Sequence, residues 1–161
     1  MEIRPARDED WPRIYPVFSA IVEAGETYAY PDDLSSDEAK ALWMEPPPGV
    51  TFVALYGDDL LGTVKCGPNR PGRGAHVATA SFMVDPAQAG RGIGRALGQH
   101  VLTWARENGY RAMQFNAVVE TNAMAVRLWT SLGFAIVGTV PEAFDSRRHG
   151  LVGLHVMHRF L

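Results

Sequence analysis

The sequence predicts an α/β protein of the α+β kind, with a mixed central sheet of about seven strands flanked by about four helices. Two observations carry this expectation. The 161 residues are 47% apolar and 20% charged, ordinary values for a single domain, here 1–161, with a real hydrophobic core. The periodic segments run β-α-α-β-β-β-α-β-α-β-β, so helices interrupt a chain that is mostly strand. That order suits a mixed sheet covered by helices better than a strictly alternating parallel one. There is no internal repeat and no low-complexity tract.

The first strand is the weakly alternating EIRPAR. Asp8 is placed to cap a helix through DEDWPRIYPVFSAIVEAG, with Pro12 in its first turn and Gly25 at its end. Pro16 is expected to kink or interrupt that helix. A polar-aromatic loop, ETYAYPDDL, leads to a second helix, SSDEAKALWME, with a serine cap and an acidic first turn, stopped by PPPG. TFVALYGDDLLGTVKCG reads as a hairpin turning at Gly57-Asp58-Asp59, and HVATASFMV as the next strand. The third helix, Gly92 to Asn108, places Ile93, Leu97, Val101 and Trp104 on one face and closes at Gly109. RAMQFNAVV is a strand, and TNAMAVRLWTSLG a short helix capped by Thr121 or Asn122. FAIVGTV and LVGLHVMHRFL are the last two strands, joined by PEAFDSRRHG, whose charged DSRRH reads as a solvated loop.

A net charge of −3 and a pI near 5.9 argue against broad nucleic-acid binding, which needs a basic face. Arg70, Arg73, Arg91, Arg95, Arg147 and Arg148 leave room only for a local basic patch. The single cysteine, Cys66, forms no intramolecular disulfide and reads as a small core residue of an intracellular protein. The acidic start, MEIRPARDEDW, lacks a secretory h-region, and no apolar run reaches the ~20 residues of a membrane span. These features predict a cytoplasmic protein without membrane or nucleic-acid partners.

VDPAQAGRGIGRAL, Val84 to Leu97, ends a strand, crowds three glycines into five residues and opens an amphipathic helix. A dinucleotide fingerprint, G-x-G-x-x-G/A, fits poorly: Leu97 stands where the third glycine belongs and the strand ends too early, although Glu120 follows the next strand. A P-loop fails, because no lysine and hydroxyl follow Gly94 or Gly98. What remains is an anion, such as a pyrophosphate, held by successive N–H groups of the loop and helix N-terminus, or a turn that merely lets the helix pack closely.

VDPAQAGRGIGRAL followed one strand later by N-x-x-A-x-x-L-W-x-x-x-G-F resembles the GNAT superfamily of acetyl-CoA-dependent N-acetyltransferases. The likeness extends over the whole chain in element order, from IRPAR to HVMHRFL. It implies a splayed sheet and acetyl-CoA as the acetyl donor, the pyrophosphate wrapped by the backbone of Gly90, Arg91, Gly92, Ile93, Gly94 and Arg95. It places the pantetheine arm and acetyl carbonyl along the backbone near Met83 and Val84, and a cofactor contact at Asn122. Two positions depart from the family pattern. Ala89 stands where Arg or Gln is usual, with Gln88 displaced by one. Trp129 stands where a tyrosine often protonates the departing thiolate, a role an indole N–H cannot fill near neutral pH.

Amide formation needs a neutral amine, a donor for the developing oxyanion, here the Val84 N–H, and a base or water chain for the proton. No metal is called for, and no His/Cys cluster with zinc spacing is present. On RAMQFNAVVE, Gln114 and Asn116 share a face opposite Met113, Phe115 and Ala117. They form either a satisfied network or, for Asn116, a group orienting substrate in the cleft. FNAVVETN also resembles a branch of the superfamily acting on small amino acids, including proline analogues. Thr79 and Ser81 share a face and are placed to line the same cleft, as are Glu26, Tyr28 and Tyr30 from the loop that covers the acceptor site in this fold. Glu120 and Asp85 are carboxylates near the cleft, and Glu120 joins Val84 and Asn116 as a catalytic candidate. His76, at a strand start, is a weaker base candidate. The reading is a small-molecule (amino-acid-like) N-acetyltransferase working by direct attack rather than through Cys66. Protein N-terminal or lysine acetylation, and a non-catalytic acyl-CoA sensor, are the alternatives. The fold also admits pairing of two copies through the C-terminal strands as a homodimer.

Overall fold

The computed structural model describes residues 1–161. Its strands are β1 (Glu2–Pro5), β2 (Val50–Tyr56), β3 (Asp59–Pro68), β4 (Val77–Val84), β5 (Ala112–Val119), β6 (Ala135–Ser146) and β7 (Gly150–Phe160). The helices are α1 (Trp11–Ala24), α2 (Ser36–Trp43), α3 (Ile93–Glu107) and α4 (Ala123–Ser131). The seven strands form one sheet in the order β1-β2-β3-β4-β5-β7-β6. Every neighbouring pair is antiparallel except β4 and β5. The mixed sheet and the element order agree with the sequence.

Two cores cover the two faces. On one, Leu97 and Val101 of α3 and Trp129 of α4 bury against Met113, Phe115 and Met157. On the other, Trp11, Ile14 and Phe18 of α1 and Trp43 of α2 bury against Val53 and Met83. Apolar area removed from water at these two interfaces is the main force holding the helices to the sheet, at about 25 cal/mol per Å². No helix is long and apolar enough to cross a membrane.

Local chemistry departs from the sequence reading at three places. Asp10, not Asp8, organises the start of α1: its buried carboxylate accepts the Arg7 N–H and takes both arms of the Arg4 guanidinium, at 2.7 and 2.8 Å. Pro16 lies inside α1 without ending it, because burial of Trp11, Ile14 and Phe18 outweighs one missing hydrogen bond. PEAFDS is strand rather than loop: β6 continues to Ser146, accommodating Pro141 and the positive-φ Glu142 in a bulge between Val140 and Phe144.

The feature that positions the site is a split. β4 and β5 pair only at Val77–Ala112 and Ala78–Met113 and then diverge. A bulge in β5 between Phe115 and Val118, against β7, bends that strand at the same level. The outcome is a cleft through the middle of the sheet.

Candidate active site

β4 keeps β3 on one side and loses β5 on the other. Successive residues of a strand turn their backbone groups to opposite sides. The Met83 carbonyl lies on the β3 side, against Gly62, and the Asp85 N–H donates to Leu61. Ala80, Phe82 and Val84 therefore turn theirs to the open side. This corrects the expectation for Met83: its backbone pairs with β3 opposite Thr63 and its side chain is core. By the same alternation the Val84 N–H is on the cleft side of β4. The signal that would have separated them is the alternation itself, counted backwards from Val84.

The cleft has a volume of about 570 Å³ and a mostly apolar lining, within the usual range for small-molecule sites. Glu26, Tyr28, Tyr30, Thr79, Ser81, Asn116 and Asn122 all line it, so the structure brings together residues scattered over almost a hundred positions. Glu120 is not among them. It is exposed, beyond the end of β5, and its carboxylate accepts the Gly153 N–H, which removes it from the catalytic candidates on geometry.

The glycine loop lies next to the cleft. Gly90 and Gly92 have φ of 78° and 79°, and Gly92 is the left-handed N-cap of α3. A Cβ at either would meet nothing within 4 Å, so the backbone there is open to a ligand. The first helical bond on this turn is Ala96 N–H to Gly92 carbonyl. The N–H groups of Ile93, Gly94 and Arg95 are left without helical acceptors, as at any helix start. The geometry suits an anion. The Ile93 side chain is core, Arg91 is bound to Gln88, and the Arg95 guanidinium donates to Ser131 of α4 at 2.8 Å.

Asn122 caps α4: its side-chain oxygen accepts the Ala125 N–H at 3.2 Å, leaving its amide N–H groups as donors. Trp129 packs on Phe82 and Phe115, with centroids 4.5 and 4.9 Å away, and forms part of the cleft wall. Asn116 is exposed rather than buried. It donates to Asn69 at 2.6 Å and accepts from Gln114 at 2.9 Å, so the network and the cleft position coexist.

Tyr28 and Tyr30 stack in parallel, with centroids 5.5 Å apart and planes at 2°. Burial pushes both phenols up, with the Glu45 charge adding at Tyr30. The Tyr28 hydroxyl donates to the Phe82 carbonyl at 2.6 Å. Glu26 accepts the Ser146 hydroxyl at 2.7 Å and the Arg148 N–H at 2.9 Å, and these bonds, Ser146 first, hold its carboxyl below the usual range. Arg147 pairs with Asp32 at 2.8 Å and donates its N–H to the Gly25 carbonyl. DSRRH is thus a strap tying the β6–β7 turn to the loop after α1, not a free solvated loop. Ser146 and Phe82 carried no local signal in the sequence. Cys66 is buried, donates weakly to Val50, and burial pushes its thiol up to about 12.

The split sheet, the helix N-terminus beside it and the strand edge facing the cleft are the parts of an acyl-group transferase built around a thioester of CoA. Residues 9–134 match the model of the acetyltransferase (GNAT) family, and the chain belongs to that family; it is an acetyl-CoA-dependent N-acetyltransferase. A GCN5-related N-acetyltransferase from Kribbella flavida is 58% identical, with a TM-score of 0.96 over 99% of this chain and 97% of that one. The structure of yncA from Salmonella typhimurium, solved with its cofactor acetyl-CoA, is 25% identical, with a TM-score of 0.83 over 100% of this chain and 94% of that one. The N-acetyltransferase aca1 of Schizosaccharomyces pombe is 29% identical over 143 residues, 80% of this chain and 68% of that protein.

Proposed function

We propose that this cleft transfers acetyl from acetyl-CoA to the amine of a small molecule by direct attack in a ternary complex. The observation that carries the small-molecule reading is the cleft itself, about 570 Å³ with a mostly apolar lining, to which the strap-held Glu26 contributes the one carboxylate. A bounded, mostly apolar space suits a compact acceptor better than a protein tail.

Bound acetyl-CoA supplies a thioester carbonyl, whose C–S bond breaks as the amine nitrogen forms the new C–N bond and CoA leaves as its thiolate. The backbone N–H groups of Gly90 to Arg95 would hold its pyrophosphate, helped by the helix dipole, an effect of about 0.3–1 kcal/mol at an exposed site. The free edge of β4, at Ala80 and at the Phe82 N–H (the Phe82 carbonyl being taken by Tyr28), would offer backbone partners for an extended arm, and the amide of Asn122 a further donor. The Val84 N–H is placed to stabilise the oxyanion. Asn116, held by Asn69 and Gln114, orients the acceptor. With neutral Trp129 in place of a phenol, water protonates the thiolate. The buried, raised Cys66 thiol is a poor nucleophile, which supports direct attack over an acetyl-cysteine route.

The test is CoA-thiol release with acetyl-CoA and a panel of small amines beside a lysine peptide. Faster release with small amines supports the proposal. Release with the peptide alone, or CoA binding without release under any amine, defeats it.

A further inference from the structure

One charged side chain lines the cleft, and it is Glu26; no lysine, arginine or histidine side chain does. Glu26 is held in place by Ser146 and Arg148, its carboxyl kept in the ionised form. The remaining polar groups of the wall, Thr79, Ser81 and Asn116 among them, are neutral, and the stacked Tyr28 and Tyr30 add aromatic surface.

Resting on the small-molecule reading above, we infer that the acceptor is a cationic amine with an apolar or aromatic body and no carboxylate. Its ammonium is drawn to the Glu26 carboxylate, and its body lies on the tyrosine pair. An ammonium brings three donors to a wall that has acceptors for them. A free amino acid would bring a carboxylate into a mostly apolar cleft whose lining holds no cationic side chain, a penalty that disfavours binding; Arg148 and His149, whose charges reach Glu26, lie outside that lining. Arg147 is not available either, being paired with Asp32. Before reaction the ammonium gives one proton to water, and the neutral nitrogen attacks. The attacking nitrogen loses a second proton to water as the C–S bond breaks, so ammonium and acetyl-CoA become the acetamide, the CoA thiolate and two protons released to water, one of which the thiolate takes back to leave as CoA thiol. This departs from the amino-acid acceptors to which FNAVVETN points.

The experiment compares 2-phenylethylamine, phenylalaninol and phenylalanine as acceptors for the full chain at saturating acetyl-CoA, with a lysine peptide alongside. The expected result is kcat/KM at least about tenfold higher for the first two than for phenylalanine, the scale of one unpaired charge. In Glu26→Gln, the KM for 2-phenylethylamine rises about tenfold while the Kd for CoA, which also reports an intact fold, stays the same. Phenylalanine used as well as phenylalaninol overturns the inference and leaves small-molecule acetylation standing. An unchanged KM in Glu26→Gln overturns the role of Glu26. Release with the peptide alone overturns both readings together.

Discussion

The Tyr28 hydroxyl donates to the Phe82 carbonyl across 54 positions of sequence, at 2.6 Å. Phe82 lies where β4 has lost its neighbour, so this phenol takes the place of a strand at the free edge. It also ties the loop after α1 to the strand bearing the Val84 N–H. Tyr28→Phe keeps the ring and its stacking and removes only the tie. The expected cost is about 1 kcal/mol of stability, with a larger proportional fall in kcat than in CoA affinity. Calorimetry of CoA binding beside steady-state kinetics reads both. Equal falls would mean that the tie serves cofactor binding rather than the alignment of Val84.

Gly94→Asp tests the cradle. Its Cβ would come 3.2 Å from Leu128 Cδ2, a flexible tip, so the fold tolerates the change. The added carboxylate repels a pyrophosphate at the helix start. CoA affinity should drop at least about tenfold, the scale of 1.4 kcal/mol, and titration calorimetry would detect it. Unchanged affinity would place the pyrophosphate elsewhere.

Asn116→Ala should lower turnover more than it weakens CoA binding. The bonds to Asn69 and Gln114 are exposed and worth little to stability, about 0.5–1.5 kcal/mol at most. If Tm falls by several degrees and turnover per folded molecule is unchanged, Asn116 is structural.

Acid stability should depend on Asp10. The hydrogen-bonded Arg4 guanidinium, followed by the Arg7 N–H, holds its carboxyl below the usual value against the opposing effect of burial. A folded pKa below the unfolded one contributes stability that is full above the unfolded value, ~3.9, and is lost as pH falls through the folded one. Asp10→Asn should therefore cost about 2 kcal/mol near neutral pH, the scale of a charge-assisted pair with one partly exposed partner. The loss should shrink toward pH 3. Denaturant melts at pH 7 and pH 3 provide the comparison.

Cys66→Ala should retain turnover within a factor of about two at normal acetyl-CoA, for a stability loss on the order of 1 kcal/mol. The wild-type thiol should react with a disulfide reagent only on unfolding. Abolished turnover in a folded variant would reinstate a covalent route.

Elements with strong local signals were readable before the structure. The serine cap before α2 forms its capping box with Glu38 at Ser35, and Asn122 caps α4. Gly109 has the positive φ expected after α3. Each involves contacts within a few residues, where sequence spacing translates directly into geometry. The failures lie where distant partners decide. Asp8 and Asp10 are equally good caps by type, and only Arg4, delivered by the sheet, selects Asp10. Glu120 and Glu26 are both carboxylates in loops; Gly153 claims one, and the β6–β7 turn brings Ser146 and Arg148 to the other.

By itself the sequence determined the element order, the glycine loop and the cap at Asn122, because all three are written in local periodicity and spacing; a shared cofactor role for the loop and Asn122 is what the family resemblance implies. Only the tertiary structure decided which side of β4 faces the cleft, that Met83 belongs to the core, and that Glu26 is the single charge on the wall. Those outcomes depend on where β5 leaves β4 and on which loops meet across the sheet. They are set by long-range packing, which no stretch of sequence holds alone.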